Sequence, residues 1–409
     1  MRDGTTSAKE TARSRAAERD LGRLGVITVP DGWKLSTVGK ACTIRNDLRL
    51  PLSVETRAVM QGKYPYYGPT GILDYIDEFR AEGEFALIGE DGDHFLDTEK
   101  KSQTVRVSGR FNVNNHAHLI ASGKGCAVDW FFQFFRHRDI SHSLTRQGAG
   151  RYKLTKQALE KLPILLPPLP EQRKIAEILR TWDAALEKLT ALRAAKARRL
   201  DGLAARLIHD EQAERLHLRD FLQEVSTRNR GQQVDRVLSV TNSAGFVLAE
   251  DQFAHRVASA DLSNYKIVRR GHYAYNPSRI NVGSIARLDA WEDGALSPMY
   301  VVFQVRDGLD SDFFGHWLLS GEARQRIALA AQGSVRETVS FGDLGSILIP
   351  VPTIDRQQAI SRVLNAGRDE IALVDAEIEA LTRQKRGLMQ KLLTGEWRVN
   401  TTEAAEVAQ

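Results

Sequence analysis

From Glu171 to Ile208 the chain has no proline and a single glycine, and its apolar residues recur at spacings of four and three. They are Ile175, Leu179, Trp182, Leu186 and Leu189, then Leu200, Leu203 and Leu207, with Arg193 and Lys196 interrupting the seam. This spacing predicts a long α-helix with one narrow apolar stripe. The pattern returns as Ile360, Leu364, Gly367, Ile371, Val374, Ile378, Leu381, Lys385, Leu388 and Leu392. Each helix of roughly 38 residues would be about 57 Å long and cannot bury so narrow a stripe alone. Packing the two on each other as an antiparallel coiled coil is the economical solution. Upstream of each helix the pattern changes to short runs rich in β-branched and aromatic residues, at 85–88, 104–107, 237–240, 273–275 and 300–305, separated by Gly, Asn and Asp turns. Helices are predicted near 128–138 and 312–329. The fold class is therefore α+β: two globular units separated by two long helices.

The two halves are copies. Displaced by 185 residues, Gln147, Gly148, Arg151, Leu159, Pro167, Gln172, Ile175 and Leu179 fall on Gln332, Gly333, Arg336, Leu344, Pro352, Gln357, Ile360 and Leu364 without a gap. A fixed offset held over so long a stretch marks a structural unit used twice, and two such units can present similar faces with pseudo-twofold symmetry. Prolines 163, 167, 168 and 170 precede the first helix and prolines 350 and 352 the second, so both begin abruptly. The expected organisation is a disordered segment 1–20, a unit at 21–165, a helical spacer at 166–213, a second unit at 214–351, a second spacer at 352–399 and a disordered tail 400–409.

Charge alters this picture only locally. The net charge is +5, yet residues 136–153 hold five Lys or Arg against one Asp, and the equivalent residues 324–336 hold three against none. Recurrence at one offset suggests a shared anion-binding role, with a solvated helix face as the plainer alternative. Cys42 and Cys126 are the only cysteines, which excludes a disulfide framework or a four-cysteine zinc site and fits a reducing cytoplasm. The apolar stretch around 162–169 is too short and too proline-rich to span a bilayer, and residues 1–20 have no apolar run of the signal-peptide kind.

Several marks resemble the specificity subunit of type I restriction-modification systems. They are Pro30-Asp31-Gly32-Trp33, the run from Ala86 to Gly92, Asn114-Asn115-His116-Ala117-His118, the block Leu166-Pro167-Pro168-Leu169-Pro170-Glu171-Gln172 before the helix, and Ser297-Pro298-Met299-Tyr300. The second helix entry departs from the pattern, reading Pro352-Thr353-Ile354-Asp355-Arg356-Gln357. The resemblance implies two target-recognition domains, each reading half of a split double-stranded DNA site, with the helix pair setting the spacing. It also implies a non-catalytic, cytoplasmic prokaryotic subunit. Two modification subunits would carry S-adenosylmethionine and methylate adenine, and restriction subunits would use ATP and Mg.

Catalytic motifs give no rival signal. Asn276-Pro277-Ser278-Arg279 lacks the second proline and the aromatic of an amino-methyltransferase turn, no Gly-Lys is followed by Ser or Thr, and the histidines lack partners at metal-ligand spacing. No cofactor or metal is expected on this chain. Base reading needs paired hydrogen bonds, chiefly Arg to guanine and Asn or Gln to adenine, with basic groups on phosphates. The candidates are Arg146, Gln147, Arg151, Tyr152 and Lys153 in the first unit, and Arg269, Arg270, Asn276, Ser278, Arg279, Gln332, Ser334 and Arg336 in the second. The plainer reading of the repeated Gln-Gly-x-x-Arg is a braced helix terminus. Strand packing is the expected role of Tyr66, Tyr67, Tyr273 and Tyr275. The duplicated helix entries, Pro167, Glu171, Gln172, Pro352 and Gln357, are candidate docking surfaces, with helix capping as the alternative for the two glutamines. Two other readings stand beside this one: a coiled-coil scaffold carrying two non-DNA modules, and a fused methyltransferase or nuclease.

Overall fold

A computed structural model describes residues 17–147, 151–209, 212–252, 261–332 and 338–401. The chain divides into two compact units, the first made of residues 1–188 and 378–409 and the second of residues 189–377. The expected division set the helices apart as spacers. In the structure each unit keeps one end of each long helix.

In the first unit ten strands form: β1 (Lys34–Thr37), β2 (Thr43–Ile44), β3 (Gln61–Tyr67), β4 (Ile72–Ile76), β5 (Ala81–Gly89), β6 (Thr104–Val113), β7 (Ala117–Ala121), β8 (Thr145–Gln147), β9 (Arg151–Lys153) and β10 (Pro163–Leu166). Six of them make a sheet in the order β2-β7-β5-β6-β3-β4, in which only β3 and β6 run parallel. The run 85–88 lies at its centre. Strand periodicity sends Ala86 and Ile88 to one face and Phe85 and Leu87 to the other, and each pair joins a separate apolar cluster. Helix α1 (Val128–Phe135) covers the Ala86 and Ile88 face with Trp130, Phe131, Phe134 and Phe135. Residues 17–23 are helical, and Leu21 and Leu24 are buried in the same cluster. The predicted disordered segment therefore becomes ordered by residue 17, because two leucines find a core that the local sequence does not announce.

The second unit contains β11 (Arg215–His217), β12 (Leu222–Glu224), β13 (Leu238–Thr241), β14 (Gly245–Leu248), β15 (Lys266–Arg269), β16 (Tyr273–Tyr275), β17 (Ile285–Arg287), β18 (Asp293–Leu296), β19 (Val301–Val305) and β20 (Leu348–Pro350). Its four-stranded sheet has the order β12-β19-β16-β17, strand for strand the β2-β7-β5-β6 arrangement of the first unit. Two-stranded pairs β1-β10 and β11-β20 also correspond. Tyr273, Tyr275 and Phe303 are buried on one face of this sheet, as is Tyr66 in the first unit, so these tyrosines pack as strand residues.

Two long helices complete both units: α2 (Leu169–Ile208) and, after α3 (Ser311–Leu318) and α4 (Gly321–Gln332), α5 (Ile354–Thr394). Within the first unit, Ile175 and Leu179 of α2 share a core with Met389, Leu392 and Leu393 of α5. There Asp183 accepts from Arg136 at 2.6 Å and from Lys385 at 2.5 Å, so the lysine that breaks the predicted seam is neutralised. Within the second unit Arg193 meets Asp375 at 3.0 Å and Lys196 meets Glu370 at 2.6 Å, which accounts for the two cations in the α2 seam. The other seam exception, Gly367, sits where a Cβ would fall 2.6 Å from Leu200 Cδ1, so the missing side chain permits close helix contact. The pairings run in opposite senses along the two helices, which makes each half of the pair antiparallel within its own unit.

Candidate nucleic-acid interface

Each unit builds one polar edge by the same device. A strand at the middle of its sheet, β5 or β16, ends in a loop, and the segment that returns after the helical part of the unit is fastened to that loop by a backbone hydrogen bond at equivalent positions. In the first unit Leu154 N donates to Glu90 O at 2.8 Å, and in the second Val339 N donates to Pro277 O at 3.0 Å. Leu154 and Val339 lie 185 positions apart, and both are fully buried. The buried side chain anchors the segment in each unit, beside the half-buried Lys153 in the first and the half-buried Thr338 in the second.

In the first unit the edge carries the β8-β9 hairpin against the loop after β5. Arg146 is exposed, donates to Tyr152 Oη at 2.9 Å, and places its guanidinium 5.3 Å from the centre of that ring. Lys153 is less available: its Nζ lies 3.2 Å from Glu90 and 3.8 Å from Asp91. Glu90 also meets Arg49 at 2.8 Å, and Asp91 meets His116 at 2.8 Å. Thus Glu90-Asp91 and His116-Ala117-His118, distant in sequence, form one network. His118 is buried, with Asn46 Nδ2 at 2.9 Å and Arg49 Nη2 at 2.6 Å from Nδ1, while Nε2 lies 2.8 Å from Leu154 O. Two donors aimed at Nδ1 and an acceptor at Nε2 assign the proton to Nε2. Burial first, and Arg49 in addition, hold this imidazole below its ordinary pKa. Gln147 and Arg151 are paired in the hairpin backbone; their side chains lie outside the described atoms.

The second edge is the loop from Asn276 to Gly283. Asn276 is buried, and its Oδ1 accepts from Ser278 N at 3.0 Å. Its amide therefore shapes the turn instead of facing outward to read a base, a correction that follows from burial. Ser278 and Arg279 are exposed, and Arg279 has no side-chain hydrogen bond or ion pair among the described residues. Arg269 is exposed too, but Arg270 is tied to Glu292 at 2.8 Å and to Asp289 O at 2.8 Å. Arg269 and Arg270 stand before β16 and Asn276 to Arg279 after it, so the two groups occupy opposite ends of that strand. Gln332 closes α4, and its side chain, like Ser334 and Arg336 entirely, lies outside the described residues. The chain is described again from Thr338, and Val339 is fastened to the Pro277 loop.

Of the five helix-entry residues, Glu171, Gln172 and Gln357 have internal side-chain roles, and Pro167 and Pro352 each lend a backbone carbonyl. Gln172 has no accessible surface; its Oε1 accepts from Ala127 N at 2.9 Å, and its Nε2 donates to Gly125 O and Pro167 O, both at 2.8 Å. Gln357 repeats the set with Asp310 N at 2.7 Å, Gly308 O at 3.1 Å and Pro352 O at 2.8 Å. Each glutamine thereby latches a long helix to the residue that starts α1 or α3. Glu171 is buried, accepting from Trp33 Nε1 at 3.1 Å and from Arg398 at 2.7 and 2.9 Å. These contacts take up the side chains of Gln172 and Gln357, which have no exposed surface, and of Glu171, which has very little, in place of the docking role expected of them.

A family model described as the type I restriction modification DNA specificity domain matches residues 30–196. That stretch is similar to this DNA-specificity domain. A Haemophilus influenzae protein assigned as a type I restriction enzyme specificity subunit is 34% identical over 147 residues, covering 36% of this chain and 36% of that protein. The EcoprrI specificity subunit of Escherichia coli is 25% identical, with 33% of this chain and 31% of that protein aligned. The chain thus matches about a third of the length of these two relatives. The MjaVIII specificity subunit of Methanocaldococcus jannaschii aligns over 93% of this chain and 97% of its own at 20% identity. A crystal structure of the S subunit from M. genitalium has a TM-score of 0.60 at 15% identity, covering 88% of this chain and 96% of that one, and so shares the fold.

Two of the motifs that carry the resemblance acquire a physical meaning here. Trp33 of Pro30-Asp31-Gly32-Trp33 packs edge-on against Trp130 at 5.7 Å and is clamped by Glu171 and Arg398, so the opening motif and the helix entry are parts of one contact. Arg356 stands in the second copy where Glu171 stands in the first, and it is exposed. The departure from the family pattern at Ile354-Asp355-Arg356 is therefore the loss of a clamp, while the glutamine latch one residue later persists.

Proposed function

We propose that this chain is the DNA-recognition subunit of a type I restriction-modification complex and that each unit reads one half of a split site in double-stranded DNA. The observation that carries the proposal is the duplicated edge: one sheet order, one buried backbone fastening, and different exposed side chains. A common frame with divergent polar loops is what two half-sites of different sequence require. Arg146 with Tyr152 in the first unit, and Ser278 and Arg279 in the second, are the readers we assign, with Gln147, Arg151, Gln332, Ser334 and Arg336 on the adjoining segments. The helix pair fixes the spacing between half-sites. Two modification subunits bring S-adenosylmethionine for adenine methylation, and restriction subunits bring ATP and Mg for cleavage; this chain holds no cofactor and does no chemistry itself. It acts in the prokaryotic cytoplasm, and no described helix is long and apolar enough to cross a membrane.

The test is to express the chain with its modification subunit and map methylated adenines genome-wide. A bipartite motif with a fixed spacer is expected. Methylation at a continuous motif, or binding that does not weaken with salt and does not discriminate sequence, would refute the proposal.

A further inference from the structure

In the second unit β13 and β14 form a hairpin whose turn is Asn242-Ser243-Ala244, with Thr241 paired to Gly245. Thr241 closes that turn: its Oγ1 accepts from Ala244 N at 3.0 Å and donates to Gly245 O at 3.2 Å. Gly245 supplies the left-handed residue, at φ +64°. Asparagines in turns ordinarily bond to nearby backbone or take a positive φ themselves. Asn242 does neither. The one described non-glycine residue with positive φ is Gln232, and the exposed side chain of Asn242 has no hydrogen bond among the described residues. The fold therefore gives this amide nothing to do.

The hairpin is nonetheless fixed in place at the polar edge. Ser284 Oγ donates to Val240 O at 2.7 Å, and Val240 N donates to Tyr300 Oη at 3.4 Å, both out of solvent. A Cβ on Gly283 would fall 3.8 Å from Asn242 Cβ, so the turn lies against the loop from Asn276 to Gly283 that carries Ser278 and Arg279. The first unit repeats the placement. There the β3-β4 turn closes with Gly68 N donating to Gly71 O at 2.8 Å, and a Cβ on Gly89 would fall 3.3 Å from Pro69 Cβ. Pro69 and the exposed Thr70 line a groove with Asp91, Gly92 and Asp93, the loop after β5. In each unit, then, the hairpin before the middle strand lays its turn against the loop that follows that strand.

We propose that the β13-β14 turn is a second reading loop of its unit and that Asn242 is a specificity-determining residue for one adenine of the half-site. Its amide oxygen accepts from adenine N6 and its amide nitrogen donates to N7, the paired contact that distinguishes adenine in the major groove. This rests on the DNA-recognition reading above. Thr241, Gly245 and Ser284 already hold the turn, so only the side-chain torsions of Asn242 are ordered on contact. Arg279 on the adjoining loop supplies the side chain suited to guanine, so the edge carries a reader for each purine.

The full chain is expressed with its modification subunit, and methylated adenines are mapped for the parent, Asn242→Ala and Asn242→Asp, with thermal unfolding of each. Asn242→Ala should cut discrimination against other bases about five-fold to 150-fold at one position of one half-site. The other half-site, the spacer and the unfolding midpoint should not move. Asn242→Asp keeps the shape but accepts from cytosine N4, so that position should shift from adenine toward cytosine. It carries the comparison should Asn242→Ala fail to fold. An unchanged motif, or a loss of methylation uniform across sequences as a phosphate contact would give, overturns the assignment while the bipartite reading stands. A parent motif that is not bipartite overturns both.

Discussion

Replacing Gln172 separates a fold-building role from a docking role. In Gln172→Ala three backbone groups, Ala127 N, Gly125 O and Pro167 O, lose their partner at the start of α1 and the entry of α2. Each buried polar group left unsatisfied costs about 1 to 3 kcal/mol, and the lost methylene packing adds roughly another 1 kcal/mol. Partial repair by water reduces the sum, so a destabilisation of about 3 to 5 kcal/mol is expected. Gln172→Glu keeps the volume and one acceptor but turns an oxygen toward two carbonyls, so it isolates the polar contribution and should cost at least about 2 kcal/mol at neutral pH. Urea denaturation followed by tryptophan fluorescence checks this, with Trp33 and Trp130 in the core of the first unit and Trp317 in that of the second. Gln357→Ala should act on the second unit in the same way, through Asp310, Gly308 and Pro352. If both Gln172 variants stay within about 0.5 kcal/mol of the parent, the usual range for inert surface changes, while association with a modification subunit fails, the latch is refuted and docking is restored.

Other consequences follow from particular contacts. Arg279→Ala should weaken recognition by about 1 to 3 kcal/mol if it reads a base, and methylation mapping should show relaxation at one half-site only; equal relaxation at both would contradict its assignment to one edge. Because burial holds His94, His118, His137 and His316 below the ordinary value of 6.5, the unfolded chain takes up protons first as pH falls. Their contribution to stability is complete above about pH 6.5 and declines below it, and His118→Gln should flatten that decline in a pH series of denaturation midpoints. Gly123→Ala places a Cβ 2.0 Å from Ala41 O, a backbone atom that cannot swing away, so a loss of about 3 kcal/mol or more is expected by thermal unfolding. Inserting one heptad into both long helices should change the spacer of the methylated motif, and an unchanged spacer would disprove the ruler.

Periodic features were legible in the chain. A seam repeated over many turns predicts helices because only one backbone period places those side chains on one face, and the helices α2 and α5 begin within a few residues of the proline-rich entries. The 185-residue offset likewise announced two copies, and the runs at 85–88 and 301–305 became central strands. Side-chain availability was less legible. Arg270 and Arg279 look alike in sequence, yet one is paired with Glu292 and the other has no side-chain partner among the described residues. Asn276 appeared suited to adenine, but burial and Ser278 N use it to shape a turn. The network of Glu90, Lys153, His116 and His118 was missed as a unit, although Gly89-Glu90-Asp91-Gly92 directly after an apolar strand run was its available signal.

By itself the sequence determined the repeat, the helices, the strand class and the separation of shared frame from divergent loops, because these depend on local periodicity and comparison along the chain. Tertiary structure decided that Gln172 and Gln357 are latches, that Glu171 clamps Trp33 to Arg398, and that Lys153 is already paired while Arg279 is not. Those outcomes depend on which distant residue supplies the opposite charge or hydrogen-bond partner, and desolvation of a polar side chain is set by that neighbour and not by its own identity.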